Sequence, residues 1–244
     1  MKNSNRHGIS ENANAYANAD ADTNVNALNL VCAAVVILCV CEMGIMPLQS
    51  VVSRVVALAV IRTVQSLFLL VLLVLTPGGP AFAGLSRTMM VTGLKTGLIW
   101  SFVFGVAALI AGGVLYLAGI NAMSLIHITV PNGVQDNIML FFLTAGVIGP
   151  IAEEIFFRGI LYSALNRGRH GVVIALFSTT LIFALFHFIY NGHGGLPLFQ
   201  IIGGLVFALS FESSKSLVTP VTIHILGNLA IFIIGGLTPI SYCF

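Results

Sequence analysis

Apolar stretches long enough to cross a bilayer recur along this chain, at 28–46, 51–75, 97–120, 138–165, 171–190, 196–211 and 217–237. A spanning helix needs roughly 20 such residues. Inside lipid each segment must also satisfy its own backbone hydrogen bonds, which leaves helices as the economical solution for separate apolar runs. Composition agrees: 58% of residues are hydrophobic and 7% are charged, against about 25% charged in a soluble domain. The expected fold is all-α, a polytopic transmembrane bundle of about seven to eight helices. The eighth arises if the fourth stretch splits at Gly149-Pro150. Proline suits the first turn of a helix rather than its interior, so a kink or break is expected there, with a fresh helix from about Ile151 to Asn166.

Three parts follow from the distribution of polar residues. Residues 1–26 are polar, rich in Asn and Ala, and carry Lys2, Arg6, Glu11, Asp20 and Asp22. Such a stretch lacks apolar periodicity, and a disordered tail is expected. Residues 27–137 hold membrane helices without a recognisable motif, and Arg54 and Arg62 suggest that the first half of the second stretch is interfacial. Residues 138–240 hold all the candidate chemistry. Arg167, Arg169 and Lys215 mark two loops as cytoplasmic by the positive-inside rule, which would place the tail inside as well. The net charge is only +2 and no basic run is long, so no nucleic-acid partner is expected. The four cysteines form no metal or disulfide framework.

Ionisable residues at membrane depth are costly and usually functional. Three clusters of polar residues occur late in the chain. The first is Glu153-Glu154-Ile155-Phe156-Phe157-Arg158. Residues four apart share a helix face, which pairs Glu154 with Arg158 and turns Glu153 about 100° away. Glu154, beside a guanidinium, stays ionised. Glu153, less compensated, suits a general base. An ion pair that merely fixes packing is the structural alternative for Glu154 and Arg158. The second cluster is Phe183 to His187, followed by Asn191, and the third is His224 to Asn228. Each His has an Asn four residues on. Either imidazole alone is a plausible hydrogen-bonded core group, but two such pairs together with a diacid point to a site.

The set suits attack of water on an amide: Glu153 as base, His187 holding the water, His224 and Asn228 donating to the oxyanion. Two His and a Glu also match a zinc ligand set. However, the zinc-peptidase signature puts two His on one helix around a Glu, and here each His has Asn as its neighbour. No metal or other cofactor is therefore expected, with zinc the competing possibility.

The ordered pattern E-E-x3-R, F-x3-H, H-x3-N resembles that of the CPBP family of membrane proteases, related to the Ras-converting CAAX endopeptidase and to the Abi proteins. It is carried by Glu153, Glu154 and Arg158, then Phe183 and His187, then His224 and Asn228, and it covers roughly 138–236. The resemblance implies a glutamate-dependent, metal-independent endopeptidase in a membrane with the same residue roles. The expected partners are the lipid bilayer and a membrane-associated peptide or protein, either a prenylated CAAX-type chain or a bacteriocin-like precursor. A multi-pass protein of a prokaryotic cell membrane is expected. Two alternatives stand beside it: a non-catalytic binding protein such as a bacteriocin self-immunity factor, and a transporter that uses the acids and imidazoles as an ion path.

Overall fold

The computed structural model describes residues 4–120, 137–190 and 197–236. Every regular element among them is helical: α1 (Ser4–Gln49), α2 (Arg54–Leu75), the short α3 (Gly79–Phe82), α4 (Arg87–Leu117), α5 (Ile138–Leu165), α6 (Gly171–Tyr190), α7 (Leu198–Ser214) and α8 (Val218–Gly236). Five helical stretches have the length and apolarity of a membrane span, and α7 and α8 add two shorter apolar helices. The chain is thus a polytopic helical bundle.

The outer surface is apolar and the centre is polar. Phe102, Leu109, Leu181 and Ile233 are exposed, as side chains facing lipid would be, whereas Glu154, Arg158, Thr179 and His224 are buried. At the centre stands α5, whose residues Ile155 to Ile160 are all buried. Leu30 and Ala34 of α1, Leu69 and Leu73 of α2, and Phe183, Phe207 and Ile223 of the last three helices join it in one core.

Two expectations differ from the structure. The backbone is helical from Ser4, in the segment expected to be a disordered tail, and only Asn26–Gln49 has the composition of a span. Alanines at every second position from Ala13 to Ala21 supply helix propensity even though no apolar face exists. At Pro150, where a kink or break is expected, the helix changes its hydrogen-bond register without being interrupted. Residues 138–165 run on as one helix with two π-helical segments, Thr144–Ile148 and Ile155–Tyr162. The Gly149 N–H bonds five residues back, to the Thr144 carbonyl. The next donor in that register belongs to Pro150, which has none. A π-turn therefore accommodates the proline inside the helix without a break.

Two short-range contacts fix α8. Gly93 and Gly97 of α4 lie against it and the turn before it so closely that a Cβ at Gly93 would fall 2.1 Å from Ser216 Oγ, and one at Gly97 2.7 Å from Thr222 Cβ. Thr219 Oγ1 donates to the Gly93 carbonyl at 3.1 Å. Small residues spaced four apart are the common means of close helix approach in lipid. Arg62, expected near the interface, pairs with Glu42 of α1 and donates to Gln65 Oε1 at 2.7 Å.

Candidate active site

The acid pair sits where α5 passes from an α-turn into its second π segment. Glu154 and Arg158 meet as the i,i+4 spacing requires, with Nη1 to Oε1 at 2.8 Å and both side chains fully buried. A guanidinium in such surroundings needs partners on every side. Arg158 Nη2 donates to the Gly204 carbonyl of α7 at 3.0 Å. Its carbon lies 5.0 Å from the Phe183 ring centroid, 5.2 Å from that of Phe207 and 5.6 Å from that of Phe157, within cation–π range. Gly204 is reachable because α7 packs tightly on α6 there, with a hypothetical Cβ only 3.3 Å from Thr180 Cγ2.

The same Glu154 Oε1 lies 2.8 Å from His224 Nδ1. One carboxylate oxygen thus joins α5 to its own Arg158 and to α8. The carboxylate orients the imidazole, as an acid beside a catalytic histidine does. The His224 ring is further held by stacking on Phe207, with centroids 4.5 Å apart and planes 20° apart.

Glu153, one residue earlier, points elsewhere. Its Oε2 lies 3.8 Å from His224 Nε2 and 4.0 Å from His187 Nε2. That oxygen is buried and makes no hydrogen bond among the described residues. His187 Nδ1 lies 2.9 Å from the Phe183 carbonyl, which only accepts, so Nδ1 carries the hydrogen and Nε2 is turned toward Glu153. The Glu153 and His187 side chains are 28% and 30% exposed, against 6% for His224. The cluster therefore has an open side and a closed side.

Asn228, expected at the oxyanion, is tied to α5. Its Nδ2 donates at 3.0 Å to the Ala145 carbonyl of α5. Asn191 lies outside the described residues. Phe183, expected as support, does this twice, through its ring against Arg158 and its carbonyl on His187. Phe207 and Gly204 were not singled out as site residues. Phe207 gives no signal in an apolar helix, whereas the Gly203-Gly204 pair is the mark of a close helix contact.

Glu153, His187 and His224 are the three groups that a metal would find. Their 3.8 and 4.0 Å separations exceed the roughly 3.3 Å edge of a tetrahedral zinc site with bonds near 2.0–2.1 Å. Among the described residues no three His, Cys, Asp or Glu are grouped to hold an ion.

Fold and site together define a polytopic membrane protein with a carboxylate–imidazole centre buried among its last four helices. Residues 135–230 match the family described as Type II CAAX prenyl endopeptidase Rce1-like, and this stretch contains every site residue named above. The chain is also 31% identical over 111 residues to the membrane-embedded CAAX protease MroQ of Staphylococcus aureus (strain USA300). That similarity spans 43% of this chain and 43% of MroQ, less than half of either. No solved structure matches the chain.

Proposed function

We propose that the protein is an intramembrane endopeptidase that hydrolyses a peptide bond with water activated by Glu153. The observation that carries this reading is the Glu153 Oε2, buried without a hydrogen bond among the described residues and facing two imidazole Nε2 atoms at 3.8 and 4.0 Å. Such separations are too long for direct hydrogen bonds and are of the size that a bridging water spans. Glu153 takes a proton from that water while His187 Nε2 holds it. The hydroxide oxygen bonds to the carbonyl carbon, and His224, as an imidazolium whose Nδ1–H already serves Glu154, donates from Nε2–H to the oxyanion. Glu153 then passes its proton to the leaving amine as the C–N bond breaks, giving a carboxylate and an amine. Glu154 and Arg158 hold His224 in place. A base of this kind contributes about 10²–10⁴ in rate. In this reading neither step calls on a metal.

The family and the MroQ similarity support a membrane-associated substrate, either a prenylated CAAX-type chain or a peptide precursor, and a bacterial cell membrane as the location. The test is cleavage by purified protein in detergent, on a prenylated CAAX-type peptide and on a double-glycine leader peptide. Wild type and Glu153→Gln are compared, each with and without 1,10-phenanthroline. Cleavage that is lost in Glu153→Gln and indifferent to the chelator is expected, and the preferred peptide names the substrate class. Full activity in Glu153→Gln refutes the base assignment. Loss of wild-type activity on chelation moves the reaction to a metal held by His187, His224 and Glu153.

A further inference from the structure

Of the last four helices, α7 alone carries none of the three polar motifs, yet it walls the site on one side. Gly204 and Phe207 lie three residues apart on it and therefore share a face. The Gly204 carbonyl accepts from Arg158 Nη2 at 3.0 Å. The Phe207 ring lies flat on the His224 imidazole, with centroids 4.5 Å apart and planes 20° apart. Phe207 is itself buried and braced by Phe183, which meets it edge-on at 6.2 Å and 89°.

The flat contact supplies what the hydrogen bond of His224 lacks. A histidine χ2 is a broad, roughly two-fold torsion. The bond between Nδ1 and Glu154 Oε1, at 2.8 Å, selects one of the two senses. It leaves the ring able to rock within the broad well, because a hydrogen bond weakens steeply only below about 120°. The Phe207 face blocks that rocking on one side, and the Phe183 ring, 5.9 Å away and tilted by 76°, limits it on another. What is aimed is Nε2, 3.8 Å from Glu153 Oε2. An aromatic face also attracts a cation where water is scarce, which suits an imidazolium at this place.

We infer that Phe207 is a positioning residue for the hydrolysis: it fixes the plane of the His224 ring, so that Nε2–H points into the space beside Glu153 where the oxyanion forms. It acts through His224. The effect on rate rests on the peptidase reading, but the orientation of the ring does not.

The test separates the flat face from the buried volume. Phe207→Leu keeps an apolar side chain and removes the face, whereas Phe207→Tyr keeps it. Phe211→Leu is the same change one turn further along α7, at a buried ring that packs edge-on against Tyr162 instead, at 5.5 Å. Phe207→Met, with a more adaptable side chain, replaces Phe207→Leu if the leucine variant does not fold. Full-length protein in nanodiscs, labelled at histidine, is read by NMR, by its unfolding midpoint, and by kcat and KM on the two peptides above. The His224 signals are assigned by their loss in His224→Gln. In wild type and Phe207→Tyr the His224 ring protons are expected upfield of those of free histidine, shielded by the stacked ring, and in Phe207→Leu they move back. Both leucine variants lower the midpoint, as loss of buried volume does. Only Phe207→Leu lowers kcat, by about tenfold, a fraction of what loss of a whole oxyanion donor costs. Its KM stays within about twofold of wild type, as for an interaction made in the transition state. Wild-type His224 protons without the upfield shift overturn the inference. So does a kcat that is unchanged in Phe207→Leu, that falls equally in Phe211→Leu, or that is not retained in Phe207→Tyr. If wild type cuts neither peptide, the peptidase reading is what fails, and the His224 protons still decide the orientation.

Discussion

Arg158 offers the sharpest quantitative test of the centre. It is fully buried, and its guanidinium meets Glu154 at 2.8 Å, the Gly204 carbonyl at 3.0 Å and three aromatic faces. Arg158→Met keeps the unbranched stem and removes the charge. The Glu154 carboxylate is then left at zero exposure with His224 Nδ1 as its one remaining bond among those described. Breaking a buried pair on one side costs about 3–5 kcal/mol. At roughly 2–4 °C per kcal/mol for a chain of this length, the unfolding midpoint in detergent falls by about 6–20 °C. The second half of the test is Arg158→Met combined with Glu154→Gln. This double variant has no stranded charge, and its amide oxygen still accepts from His224 Nδ1, so most of the lost stability returns. Both midpoints are read by tryptophan fluorescence or scanning calorimetry. If the single variant melts within about 2 °C of wild type, or the double variant melts no higher than the single one, the argument from an uncompensated buried charge is wrong.

Two further predictions concern the supports of the site. Gly97→Leu places a side chain where Thr222 Cβ lies 2.7 Å from the first added carbon. It should cost about 1–3 kcal/mol by overpacking and lower activity, whereas Gly105→Leu, with nothing within 4 Å, should change the midpoint little. Glu42→Gln should lower the midpoint by less than Arg158→Met does, because Arg62 keeps its bond to Gln65 and is partly exposed. Adding Arg62→Met should restore it, and a further drop in that double variant would show that the pair is not the relevant contact.

The site was legible in the sequence because its groups are ionisable residues inside apolar runs, where each is expensive without a use. The three motifs do converge. Sequence spacing read the i,i+4 contact of Glu154 with Arg158 correctly, because it lies within one helix. It did not read the contacts between helices. Each imidazole has an Asn four residues on, yet His187 bonds backward to the Phe183 carbonyl, and Asn228 reaches across to Ala145. The unbroken α5 was illegible for a related reason. Proline ends an ordinary helix, and only a change of hydrogen-bond register, which no residue pattern announces, carries the chain through it. The Gly93 and Gly97 spacing likewise means little until Ser216 and Thr222 stand opposite.

The division of labour between the two glutamates follows from the α-helical turn that carries both, Gly149–Glu154. Neighbours in sequence, they differ by about 100° around the helix, and the surroundings do the rest. One faces a guanidinium and an imidazole, with no exposure at all. The other faces two imidazole nitrogens across gaps of 3.8 and 4.0 Å, with 28% of its side chain exposed. A carboxylate bound through one oxygen to a buried cation and an imidazole is a rigid anchor. One that is partly exposed, unbonded and flanked by imidazoles can take up and release a proton with little rearrangement. The buried member fixes the histidine on which the exposed member depends. Glu154→Gln and Glu153→Gln therefore remove different things: the negative charge between Arg158 and His224 in the first case, the proposed base in the second.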